Sequence, residues 1–376
     1  MAALQGFNPA QWFRDDLGVS EGSGGDPFEP IAGWRGYQRI RKRRDGACGF
    51  LSEANRCRLH EELGERRKPL TCRMFPYQFH PTSTALVVTT SFGCPTVVAN
   101  RGARIADGAT LDTITALRTE WVAQHPLVAR PRTLVPGRAM DAASIAILRD
   151  GLLVILNRTD DGVLDLKRNV AGMAVVLDDL TRARVTRLPD DDFAEYVRLT
   201  VPFAAADRKP VSHRAPGVVG RLLQRGFLFV VAATRLKLEN PAMPRLTLRL
   251  RMFWLLAHLH GLAPRVDRVD VSALRGRLPD LDGPDIQPVA HHYLRASFES
   301  LGASERPVLD EIAVAVSCLN AARSLAAMNG RDTTFAEALM EAVDLSHASD
   351  RGLLGRVVAR LTGGTEALYT LADAGP

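Results

Sequence analysis

The sequence predicts an α+β protein dominated by helix, with a small cysteine-cluster module carrying short strands over residues 1–105 and a helical domain over residues 106–376. Three observations predict it. Four of the five cysteines fall between positions 48 and 94, in a stretch punctuated by turn residues and strand-like alternation. Beyond about residue 105, apolar residues recur at three- and four-residue steps, the period of an amphipathic helix. A length of 376 residues, finally, exceeds one typical domain.

In chain order, a basic, strand-like run Arg39-Ile-Arg-Lys-Arg-Arg44 leads into Cys48-Gly-Phe-Leu51. Arg56-Cys-Arg-Leu-His60 opens a short helical pattern that ends at Gly64, a residue suited to a helix C-cap. Ala85 to Phe92 alternates like a strand and delivers Cys94 just before Pro95. Leu111, Ile114, Leu117 and Trp121 form one helical face behind Thr110, and His125-Pro126 ends it. Leu127 to Arg138, with Pro131 and Pro136, reads as a linker. Helices are expected over Ala142–Leu156, broken at Asp160-Asp-Gly162, over Asp165–Leu180, and over Asp191–Val201 with Asp190 as an acidic cap. Two more fit Val218–Leu238 and Leu246–Leu262, and Thr334-Phe-Ala-Glu337 has the spacing of a capping box ahead of Leu339 and Val343.

Hydrophobic content of 46% with 24% charged residues excludes a disordered or fibrous chain. No basic segment followed by an apolar one opens the sequence, so no secretory signal peptide is expected, and the reading is cytoplasmic. The most apolar stretch, residues 226–233, is far short of the ~20 residues a membrane span needs. The net charge of +6 concentrates in Arg39 to Arg44. Such a run can hold phosphates and would make binding salt-sensitive. No aromatic residue interleaves with it, so a solvated loop or edge strand is expected and a nucleic-acid role is not.

Five cysteines in a chain of this length fit a reducing compartment in which thiols stay unpaired. Cys48, Cys57, Cys72 and Cys94 are separated by eight, fourteen and twenty-one residues, unlike a zinc-ribbon or ferredoxin spacing. Thiolates are soft ligands that select zinc, copper(I) or iron–sulfur clusters, and four complete a tetrahedral shell or hold all corners of a cluster. These four are therefore the candidate metal ligands, against the plainer reading of four small buried apolar side chains. Cys318, alone in Ile312-Ala-Val-Ala-Val-Ser-Cys-Leu319, reads as helix core.

The string Cys48-Gly-Phe-Leu51, Asn55-Arg-Cys-Arg-Leu-His60, Glu62-Leu-Gly64, Thr71-Cys-Arg-Met-Phe-Pro76 and Ser91-Phe-Gly-Cys-Pro95 resembles the YkgJ-type cysteine-cluster family of zinc- or iron-chelating domains. Flagellin lysine-N-methylases carry a similar arrangement. The match spans residues 37 to 100, roughly a sixth of the chain. It implies zinc or an iron–sulfur cluster held by Cys48, Cys57, Cys72 and Cys94, with Arg73 and Pro76 matching the motif without needing to touch metal. Members usually carry a further cysteine group upstream, whereas none precedes Cys48 here; if those are ligands, the present four hold a smaller centre. The methylase branch implies S-adenosylmethionine as cofactor and a protein substrate. No glycine-rich strand-to-helix turn of the nucleotide-binding kind supports it.

Other polar residues carry plainer readings. His258 and His260 sit two apart, as wrong for a shared metal on a helix as the adjacent His291-His292. Asp190, Asp191 and Asp192 are explained by the positive end of a helix dipole. There is no nucleophile elbow and no phosphate loop. The two roles in view are an enzyme of the lysine-methylase type and a module stapled by metal.

Overall fold

The structure, a computed structural model, describes residues 28–30, 38–40, 48–81, 86–124, 132–207, 278–329 and 334–349, apart from positions 53, 55, 103, 304 and 305, together with 247, 368, 371 and 372. The expected helices at 218–238 and 246–262, the apolar stretch 226–233, His258, His260 and the basic residues 41–44 lie outside the described residues, position 247 excepted. The fold is α+β and predominantly helical, its strands forming short antiparallel pairs. Contacts divide the chain into residues 1–75 and 76–376.

In the smaller unit, β1 (Phe28–Pro30) pairs with β2 (Gln38–Ile40), setting Arg39 opposite Glu29. A turn closed by the Leu51 N–H on the Cys48 carbonyl (3.1 Å) leads to an antiparallel bridge between Leu51 and Cys57. Helix α1 (Arg58–Leu63) follows and ends as expected at Gly64, whose φ of 76° lies in the left-handed region that favours glycine. After one 3-10 turn, α2 (Leu70–Met74) completes the described chain of this unit. Its described core is two side chains, Phe50 and Leu59, with Ile40, Cys48, Cys57 and Leu63 packed around them.

The larger unit begins with the hairpin of β3 (Tyr77–Pro81) and β4 (Leu86–Thr90), then α3 (Pro95–Val98) and α4 (Gly108–Gln124). The sequence reading places the boundary near residue 105. In the structure the hairpin and Cys94 belong with the helices, α3 touching the helix over 335–349 and β4 the helix over 287–299. On α4, Ile114 and Leu117 are buried as expected, whereas Leu111, on the same expected face, is 48% exposed. Trp121 instead meets Phe79 of the hairpin, ring centroids 5.9 Å apart.

Part of the expected linker is structured. β5 (Arg132–Thr133) and β6 (Ala139–Met140) pair across the Pro136-Gly137 turn, where Gly137 has φ 85°. Leu134 is wholly buried there, its carbonyl accepting the Leu309 N–H at 3.1 Å. Helix α5 (Ala142–Leu156) has the expected bounds, started by Asp141, whose carboxylate accepts the Ser144 N–H at 2.6 Å. The expected break is the hairpin of β7 (Thr159–Asp160) and β8 (Val163–Leu164), with positive φ at both Asp161 and Gly162, the conformation two-residue hairpin turns require. Helix α6 (Leu166–Thr181) is capped by Asp165 through the Arg168 N–H at 2.8 Å.

After α7 (Ala183–Thr186), α8 (Asp190–Ala206) starts one residue earlier than expected. Asp190 is the first helical residue rather than the cap, and its carboxylate pairs with buried Arg138. Arg138 also donates to the Thr186 and Leu188 carbonyls (3.2 and 2.6 Å) and lies 4.6 Å over the Phe193 ring. A buried guanidinium is tolerated when its donors are engaged in this way. Helices α5 and α8 approach so closely that a Cβ at Gly151 would collide with Val201.

The remaining described helices are α9 (Gln287–Glu299), α10 (Val308–Asn329) and α11 (Phe335–Ser349), with α10 and α11 packed as a pair. The expected capping box opens α11: the Thr334 N–H donates to Glu337 (2.8 Å) and the Glu337 N–H to the Thr334 hydroxyl (3.2 Å). One continuous apolar core runs from Phe92 through α5, α6 and α8 to α9, α10 and α11. Among the described residues no helix is long and apolar enough to cross a membrane.

Candidate metal centre

Each candidate thiol owes its position to a local backbone feature. Cys48 opens the 48–51 turn. Cys57 stands at the N-cap of α1 with extended backbone, its carbonyl accepting the His60 and Glu61 N–H groups at 3.0 and 3.1 Å. The Arg58 N–H donates to the Phe50 carbonyl (3.0 Å) and the Ser52 N–H to the Arg56 carbonyl (2.8 Å), so the loop between Cys48 and Cys57 is closed on itself. Cys72 lies inside α2, its N–H on the Pro69 carbonyl at 2.9 Å. All three are half-buried, unoxidised thiols of the smaller unit.

Their proximity is read in the acidity of one of them. The Cys72 thiol is pushed above its ordinary range by burial first, then by the negative charge that Cys48 and Cys57 would carry; a hydrogen bond from Thr71 and the ammonium of Lys68 act the other way. Thiols whose charged forms would repel one another suit a shared cation, which turns that repulsion into attraction when they lose their protons. Among the described residues, no group of three or more His, Cys, Asp or Glu side chains is already disposed around a single point as a metal shell. The three thiols share the smaller unit without forming such a shell.

Cys94 belongs to the larger unit. It is the N-cap of the four-residue α3, its N–H on the Ser91 carbonyl and its own carbonyl accepting the Val98 N–H, both at 3.1 Å. Cys318 is buried within α10, as its apolar surroundings in sequence predict.

The adjacent histidines of α9 have structural occupations. His291 meets the Asn157 carboxamide at 3.0 Å, while His292 stacks on Phe92 with centroids 5.1 Å apart. The two rings therefore serve different contacts, as adjacent positions on a helix dictate. Arg73 donates from Nε to the Lys68 carbonyl at 3.1 Å, tying α2 to the turn before it. That position was legible as part of the family-like motif, and its contact gives it a local structural reason. No family model, curated protein or solved structure matches the chain.

Proposed function

We propose that the chain binds zinc or an iron–sulfur cluster through Cys48, Cys57, Cys72 and Cys94, in the manner its resemblance to YkgJ-type cysteine-cluster proteins implies. The observation that carries this reading is the grouping of Cys48, Cys57 and Cys72 within one compact unit, where the thiol of Cys72 feels both of the others. The donor set is all sulfur, which suits zinc and iron–sulfur centres over hard cations. Cys94 enters through the sequence motif. The setting is a reducing, cytoplasmic one, in which such thiols remain available.

Of the roles open to such a centre, a staple has its own support. In the described part of the smaller unit Phe50 and Leu59 are the buried apolar side chains, and small modules commonly gain stability from metals or cross-links. Metal binding is then folding free energy. A lysine-methylase role would add S-adenosylmethionine and a protein substrate to the same centre and rests on the motif resemblance alone.

Metal and acid-labile sulfide analysis, with a visible spectrum, on anaerobically purified protein tests the proposal. Zinc or iron is expected, lost on Cys57→Ser or Cys72→Ser and retained in Cys318→Ser. Metal-free protein, or loss of metal from the Cys318 variant, would overturn the assignment. Iron with sulfide would point to cluster chemistry, and colourless zinc to the staple.

A further inference from the structure

The larger unit holds a cavity of about 130 Å³ between the β3–β4 hairpin and α9. Cross-strand partners share a face of an antiparallel pair and side chains alternate along it. With Gln78 opposite Thr89, the residues Gln78, His80 and Thr89 therefore project from one side of the hairpin, and all three line the cavity. Phe79, on the other side, is used against Trp121.

The facing wall is a stripe of α9. Tyr293, Ala296 and Ser297, followed by Ser300 at the helix end, recur at the three- and four-residue steps that put side chains on one helical face. Phe92, packed edge-on against Tyr293 with centroids 4.9 Å apart, and Val343 of α11 supply the apolar part. An apolar cavity of about 150 Å³ accommodates a benzene-sized molecule, so the space here fits one six-membered ring.

The chemistry of the wall narrows the occupant further. None of its described residues is Asp, Glu, Lys or Arg, and a charged guest would be desolvated without a counter-charge. Burial holds the His80 imidazole below its ordinary range, hence neutral, and its Nε2 lies 2.8 Å from the Thr89 hydroxyl. Ser297 donates its hydroxyl proton to the Tyr293 carbonyl (2.8 Å) and Ser300 donates to the Ser297 carbonyl (2.9 Å). With those protons on the helix carbonyls, the Ser300 oxygen is left to accept from a guest, and the Ser297 oxygen, which also meets the Tyr293 hydroxyl, keeps a lone pair for the same purpose. Gln78 opposite offers a carboxamide, donor and acceptor side by side.

We propose that this cavity is a binding site for an uncharged, single-ring molecule with N–H donors beside a carbonyl, the class of a pyrimidine base or cyclic imide. Its N–H groups meet the serine hydroxyls of α9, its amide edge pairs with Gln78, and its ring face lies against Phe92. The argument for this site does not rest on the metal reading, although the Tyr293 of its wall is hydrogen-bonded to Cys318.

Calorimetric titration of the full chain with uracil as the probe, beside benzene and benzoate, tests this. Saturable uracil binding is expected, in the roughly millimolar range that so few atoms can reach, with benzene and benzoate each at least about tenfold weaker. Ser297→Ala should weaken uracil roughly tenfold by removing one acceptor, and Ala296→Phe should abolish binding by filling the cavity. Should Ala296→Phe fail to fold, Ser297→Ala with an unchanged melting curve carries the test. No saturable uracil binding, equal binding of benzene or benzoate, or an unchanged uracil affinity in folded Ser297→Ala would each overturn the proposal.

Discussion

The described parts of the two units differ in the apolar core they hold. The larger one buries a continuous set of aliphatic and aromatic side chains from Phe92 to Ala372, with α5, α6 and α8 contributing whole faces. The smaller one, in its described part, buries Phe50 and Leu59 and surrounds them with half-exposed residues, two of which are cysteines. Stability in the first scales with apolar area removed from water. In the second it is expected to follow occupancy of the thiols, as in small metal-stapled modules.

The largest effect expected from the core is on Leu177, wholly buried in α6. Leu177→Ala should destabilise the larger unit by about 2–5 kcal/mol, the cost of lost transfer energy and the cavity left behind. The readout is the urea midpoint of the helical circular dichroism signal, with metal content measured on the same sample. A lowered midpoint with unchanged metal sharpens the contrast between the units. If metal is lost in parallel, the centre depends on the larger unit, through the Cys94 that this unit carries or through its fold, and the contrast fails.

What the sequence disclosed was what is encoded locally. Helix α5 was legible at both ends and α6 to within one residue, from apolar periodicity, and their starts are fixed locally by the side chains of Asp141 and Asp165; the Thr334–Glu337 box marked the start of α11 in the same local way. Features decided by distant partners were not. Leu134 reads as linker because the backbone partner of its carbonyl, Leu309, lies far along the chain. Asp190 reads as a cap because its actual partner, Arg138, lies 52 residues upstream. The cavity was invisible for the same reason: His80 and Ser297 are unremarkable until the hairpin and α9 are set face to face. For the cysteines, composition and motif gave the candidate set, whereas the gathering of Cys48, Cys57 and Cys72 in one unit and of Cys94 in the other needed the fold.

Acid should act on the larger unit through its imidazoles. Burial holds His80, His291 and His292 below the ordinary histidine range; Arg295 and His292 push His291 further in the same direction, and a backbone hydrogen bond at Val97 partly offsets the shift of His292. A histidine whose folded pKa is depressed takes up its proton more readily in the unfolded chain. Stability is therefore full above the unfolded value of about 6.5 and declines as pH falls below it, levelling off beneath the folded values. Urea midpoints of the helical signal measured down the pH scale should show this decline, and His80→Gln should make it shallower. A midpoint insensitive to pH between about 7 and 5 would show that these rings are protonated as easily in the fold as outside it.

The smallest effect marks where core and surface part company within the larger unit. Thr334 and Glu337 satisfy each other's backbone N–H groups at the start of α11, and the hydrogen bonds from Thr334 hold the Glu337 carboxyl below its ordinary range. Both side chains are exposed, so no apolar area is at stake and only the free N–H groups of the first turn are left unsatisfied on mutation. Thr334→Ala should therefore cost about 1 kcal/mol, well under the Leu177 substitution. Phe335, Ala338 and Leu339, in the first turns of the same helix, are buried in the common core. That packing is expected to hold α11 in place while its first turn frays, which hydrogen exchange would register as faster exchange at residues 335–338 with the rest of the helix unchanged. Loss of protection along the whole helix would mean instead that the cap, and not the core, sets the stability of α11.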